Sequence, residues 1–207
     1  TIVRARWIVP GTPPGDVLEN HSVVIHDGRI IALTDDKGVR DYEAREHVDR
    51  PDHALIPGLV NAHGHVPMTL FRGLADDLPL MDWLTHHIWP AEGRHVDADF
   101  VRVGAELAVA EMLLGGTTTF NDMYFFPDVV GGIAHETGIR AVLGLIVIDA
   151  PTVWANDADG YFARATEVHD LFRSHPRIHT AFAPHAPYTV SDESLRRIDT
   201  LAEELDI

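Results

Sequence analysis

The sequence predicts an α/β fold: about four strand–helix units of a (β/α)8 barrel, preceded by a small β-sheet segment. Three observations predict it. Between residues 57 and 207, strand-length apolar runs alternate four times with stretches at helical spacing, the grammar of parallel βα units. Before residue 57 the apolar residues recur at period two, broken by turn residues. Polar or histidine residues also close the predicted barrel strands at their carboxyl ends, where the active sites of such barrels form. The expected division is a β segment over residues 1–56 and the first half of a barrel over 57–207.

In chain order, Val3, Ala5, Trp7 and Val9 alternate with more polar neighbours and read as a half-buried strand. GTPPG (11–15) is a turn. HSVVI and IIAL flank His26-Asp27-Gly28-Arg29, a hairpin signal because Asp-Gly accepts the positive φ of a tight turn. A polar link is expected from Asp35 to Asp52. ALIPGLVNAH (54–63) reads as a strand buried on both faces. Phe100, Val103, Leu107, Ala110 and Leu114 mark a helix over 97–114 that stops at Gly115-Gly116. TTTFND is the second barrel strand, 127–137 a helix closed by Gly138, and RAVLGLIVI the third strand. A helix over 157–173 with Asn156 or Asp157 as its cap, the strand RIHTAFAPH and a helix from Ser191 onward complete the pattern. MDWLTHHIWP (81–90) is expected to be helical. The chain stops at Ile207 in or just after that last helix, so four units, half a barrel, are expected.

Composition narrows the function. Sixteen Lys and Arg face 32 Asp and Glu, a net charge of −16. That argues against binding nucleic acid or an anionic membrane, both of which need clustered positive charge. The absence of cysteine excludes a disulfide scaffold, a thiolate zinc site and a thiol nucleophile. No apolar run approaches the ~18 residues of a membrane span, and Thr1 opens without a signal-peptide pattern. A soluble, cytoplasmic protein is expected. Histidine, at 14 residues, is unusually abundant.

Asn61-Ala62-His63-Gly64-His65 carries the chemistry. On a strand, residues i and i+2 share a face, so His63 and His65 can aim two imidazoles at one point. Two neutral imidazoles suit Zn²⁺ or Fe²⁺. Asn121 and Asp122 end the second barrel strand on the same side, where a supporting role and plain turn chemistry are both open. His95, His135, His169, His175 and His179 have no partner at ligand spacing and read as surface or packing residues.

PGLVNAHGH, continued by RGLADDLPL and WPAE, resembles the opening of the amidohydrolase superfamily barrel. Within it the chain is similar to the methylthioadenosine/S-adenosylhomocysteine deaminase branch, close to the chlorohydrolases and guanine deaminases. GGTTTFNDMY (115–124) and APHAPYTVSDESL (183–195) resemble later blocks of that branch. The resemblance implies a metal-dependent hydrolase barrel with a small composite β-sandwich part. It implies His63 and His65 as metal ligands, Glu92 at the ribose hydroxyls and His185 against the nucleoside. Some members hold a substrate carboxylate with an arginine ahead of the fourth strand; here Tyr161 falls near that position and Arg164 lies close by. The implied cofactor is one Zn²⁺ per site, with Fe²⁺ as the alternative.

The implied reaction is hydrolytic deamination of an adenosine-type nucleoside (methylthioadenosine, S-adenosylhomocysteine or adenosine) by a metal-activated water, giving the inosine product and ammonia. The chain looks like the N-terminal half only. The remaining metal ligands and the acid/base residues are expected beyond residue 207, so no catalytic acid or base is assigned here and the 207 residues alone are expected to be inactive. Partners are a small-molecule nucleoside and further copies of the chain in a homo-oligomer. Two other readings stand beside this one: a guanine or triazine deaminase or chlorohydrolase, and a non-catalytic half-barrel fragment.

Overall fold

Residues 1–207 are all described by a computed structural model, in which the chain divides into two units, Thr1–Gly58 and Leu59–Ile207. In the first, β1 (Ile2–Ile8), β2 (Leu18–His26), β3 (Arg29–Asp35) and β4 (His47–Leu55) form a sheet in the order β3-β2-β1-β4. β2 and β3 make the expected hairpin, with His26 paired to Arg29. Its turn residues Asp27 (φ 47°) and Gly28 (φ 73°) take the left-handed conformation this turn requires.

Two features of this sheet depart from the sequence pattern. The parallel ladder between β1 and β4 slips between Ala5 and Trp7, and along β1 it is Ile2, Ala5 and Ile8 that are buried, while Trp7 is only partly covered. Three β4 residues, Pro51 among them, face the single residue Arg6 across that slip. Proline has no N–H to give a ladder, which favours a bulge there. The second departure is β4 itself, which takes up the end of the expected polar link. It is an edge strand with mostly exposed side chains, the charged Asp49, Arg50 and Asp52 among them, a composition that protects sheet edges and hides the strand from a hydrophobicity search.

In the second unit β5 (Leu59–Gly64), β6 (Thr117–Asp122), β7 (Arg140–Val147) and β8 (Ile178–Pro184) lie side by side in sequence order, all parallel. α3 (Ala98–Leu114), α4 (Pro127–Thr137) and α5 (Ala158–Phe172) return the chain between successive strands, and α6 (Asp192–Leu205) follows β8. The side chains of Asp97, Asp157 and Ser191 cap α3, α5 and α6 by accepting from Phe100, Gly160 and Ser194 N–H. α4 opens on proline and closes on Gly138 at φ 79°. Strand residues Phe120, Leu143 and Leu145 pack with Val101, Val109, Val130 and Tyr161 of the helices in one continuous core. No helix is long and apolar enough to cross a membrane.

β5 differs from the expected strand buried on both faces. Ala54 and Leu55 belong to β4, and the strand restarts at Leu59. It lies at the edge of its sheet, where Leu59 and Val60 are 50% and 65% exposed. After β5 the chain makes a 3-10 segment, Val66–Phe71, then α1 (Leu80–Trp83), a π-turn (Leu84–Ile88) and α2 (Trp89–His95).

The 3-10 segment is held against α3 at Gly104, where a Cβ would stand 2.5 Å from the Pro67 carbonyl oxygen. Gly104→Ala improves helix propensity by about 1 kcal/mol but forces two backbones apart. We expect net destabilisation of about 1–3 kcal/mol, the usual cost of overpacking. Urea denaturation checks this, and an unchanged or raised midpoint would contradict the close approach.

Candidate active site

Asn61-Ala62-His63-Gly64-His65 leaves the sheet at the carboxyl end of β5, and the end of β6 clamps it. Asn121 Nδ2 donates to the Ala62 carbonyl at 3.1 Å. Met123 N–H donates to the Gly64 carbonyl at 2.9 Å. The buried Asp122 carboxylate accepts the Val66 N–H at 2.6 Å. His65 Nδ1 donates to the Met123 carbonyl at 2.6 Å. Asn121 and Asp122, ambiguous in the sequence, thus both hold the histidine motif in place.

His65 lies just past β5 and His63 within it. Their rings meet edge to face with centroids 5.0 Å apart. A carbonyl can only accept, so the proton of neutral His65 is on Nδ1 and its Nε2 keeps a lone pair. This is the arrangement of an imidazole oriented for a metal by its other nitrogen. His63 is exposed beside it. The donor set therefore suits a borderline cation such as Zn²⁺ or Fe²⁺. No group of three or more His, Cys, Asp or Glu side chains comes close enough to hold a metal, so these residues contribute a pair of imidazoles.

The other two residues singled out in the sequence stand on the same rim. Glu92, half-buried on α2, accepts from the Tyr124 hydroxyl at 2.8 Å. Burial holds its carboxyl above the usual range and the tyrosine bond opposes this. Tyr124 itself is buried, with its ring 6.4 Å from His65. Burial and the neighbouring Glu92 push its hydroxyl pKa up, so it remains a donor. His185 follows β8; its Nδ1 lies 2.9 Å from Thr189 Oγ1. That hydroxyl spends its proton on the Ala186 carbonyl, so His185 donates and its Nε2 is a free acceptor. Burial, and then the nearby His65, lower the His185 pKa and favour the neutral ring.

Tyr161 is fully buried and bonded to Thr152, and the Arg164 guanidinium stacks on Trp154 at 4.3 Å. Among the histidines left as surface or packing residues, His135 Nδ1 and His175 Nε2 lie 2.9 Å apart, a contact the spacing did not reveal. Tyr124 was likewise given no role, since no local pattern distinguishes an aromatic two residues beyond a strand. Its signals are the polar strand end before it and its place at the end of the GGTTTFNDMY block.

A parallel βα layer whose carboxyl rim carries two convergent imidazoles has the architecture of a metal-dependent hydrolase barrel. The chain belongs to the amidohydrolase family, whose model matches residues 54–207. It is 52% identical over 205 residues to a 5-methylthioadenosine/S-adenosylhomocysteine deaminase of Saccharophagus degradans, covering 99% of this chain and 46% of that protein. A zinc-bound adenosine deaminase structure from Xanthomonas campestris matches at 51% identity and a TM-score of 0.97, over 100% of this chain and 47% of that one. Escherichia coli guanine deaminase shares the fold at 21% identity and a TM-score of 0.84, over 99% of this chain and 51% of that one. The chain spans about half the length of the curated relatives it matches.

Burial raises the Asp122 carboxyl to about 7, against the opposing Val66 bond. The folded protein therefore keeps a proton that the unfolded chain releases near pH 4. The resulting stabilisation is full below about pH 4 and is lost as pH rises through about 7. Asp122→Asn keeps an oxygen for Val66 but cannot titrate. Calorimetry from pH 4 to 8 is expected to show wild-type stability falling relative to this variant, and a constant or rising difference contradicts it.

Proposed function

We propose that the full-length protein containing this chain is a metal-dependent hydrolytic deaminase of adenosine-type nucleosides. Methylthioadenosine, S-adenosylhomocysteine and adenosine are the substrate class, and the products are the inosine counterpart and ammonia. The observation that carries the reading is the imidazole pair of His63 and His65, placed on one rim with Glu92 and His185. The similarity to relatives named as deaminases at 46–52% identity supports it. The guanine deaminase likeness, at 21% identity, bears on the fold alone.

A divalent metal held by His63 and His65, zinc or alternatively iron(II), supplies the Lewis acidity that activates water near neutral pH. The chain's own residues bind and orient. The Met123 carbonyl keeps His65 in the tautomer that frees Nε2. His185, neutral and with its own Nε2 free, accepts from an N–H donor of the purine. Glu92 accepts from the sugar hydroxyls through the oxygen that Tyr124 leaves unused.

In the full-length protein, His63→Ala and His65→Ala are each expected to strip bound metal and abolish adenosine turnover together. The loss should exceed the ~10–100-fold that removing an outer hydrogen-bond partner costs. Metal content by mass spectrometry and ammonia release are the readouts. A variant retaining both metal and turnover would rule out the histidine it replaces as a ligand.

A further inference from the structure

We propose that Tyr124 is a positioning residue: its hydroxyl fixes Glu92 so that one carboxylate oxygen is spent and the other is presented to the hydroxyls of a ribose. The inference rests on the reading of Glu92 as the sugar-binding carboxylate. Tyr124 Oη donates to Glu92 Oε1 at 2.8 Å, and the tyrosine is only 4% exposed. A glutamate has three rotatable bonds, and without a partner its head group samples several orientations. Here one oxygen is held by a donor on a hydrogen-bonded turn, which leaves Oε2 a defined direction. Hydrogen bonds to a charged acceptor are the strong ones, and their geometry discriminates between ligands that do and do not carry the matching hydroxyl.

The turn that supplies Tyr124 is itself well held. Met123 N–H bonds to Gly64 and Met123 C=O accepts from His65, while the Tyr124 ring packs against Phe125 at 5.1 Å. Two adjacent residues therefore orient an imidazole through a backbone carbonyl and a carboxylate through a side-chain hydroxyl. The Tyr124–Glu92 contact lies outside the histidine motif.

The test is a double-mutant cycle in the full-length, metal-loaded protein, read as a ratio of substrates. The kcat/KM for adenosine is divided by that for 2′,3′-dideoxyadenosine, and calorimetric affinities for inosine and 2′,3′-dideoxyinosine give the same ratio without turnover. Tyr124→Phe is expected to lower both ratios by about tenfold, equivalent to ~1.4 kcal/mol, mainly through KM for the ribose substrate. In a Glu92→Ala background, where the ratio has already fallen, Tyr124→Phe is expected to lower it no further. A generally weakened fold depresses both substrates and leaves the ratio alone.

If Glu92→Ala lowers the ratio and Tyr124→Phe does not, the positioning role is overturned while the reading of Glu92 stands. If Glu92→Ala leaves the ratio unchanged, both are withdrawn. Should Tyr124→Phe not fold, Tyr124→Met is read in the same way. A full wild-type ratio in that variant overturns the proposal, and a fall to the Glu92→Ala level supports it.

Discussion

The hydrogen bond from Val66 N–H to the buried Asp122 carboxylate, 2.6 Å long, is the contact on which the local architecture turns. At the carboxyl end of β5 the chain must stop being a strand, pass through two histidines and enter a 3-10 segment. Backbone groups released from the ladder there are partly buried, and each one left unpaired costs about 1–3 kcal/mol. Asp122 satisfies the Val66 amide, Asn121 the Ala62 carbonyl and Met123 N–H the Gly64 carbonyl. The burial that makes this possible also strains Asp122 as an ion. An isosteric apolar residue would avoid that cost but would leave the Val66 amide unpaired.

Close backbone approach is the second requirement. Val66–Phe71 can reach α3 only because residue 104 is glycine. On the other flank of β6, a Cβ at Gly144 would stand 2.8 Å from the Asp122 carbonyl oxygen. The two glycines let the layers close around the end of β6, so the clamp on the histidine motif comes from packing as much as from hydrogen bonds.

Much of this was legible in the sequence. The helix over 127–137, the Asp27-Gly28 turn and a cap at Asn156 or Asp157, which the structure resolves to Asp157, all follow from local chemistry that tertiary contacts do not override. The histidine pair was legible because a period of two places His63 and His65 on one face. β4 was not, because an edge strand carries the composition of a loop. The slip in β1 was hidden as well, since it depends on its partner β4. Tyr124 was the hardest to see. Its role arises from a pairing across 32 residues with Glu92, and nothing local marks either as the other's partner.

The groups on this rim are therefore not equally independent. His185 takes its orientation from Thr189, four residues along the same loop, so a change there stays local. His65 and Glu92 both take theirs from the Met123–Tyr124 turn, which is itself tied to Gly64. The imidazole and the carboxylate, carried on separate elements, are thus tied to adjacent residues of one turn. Precise positioning of a site needs such shared support, and the parallel β5–β6 pairing carries the turn that gives it.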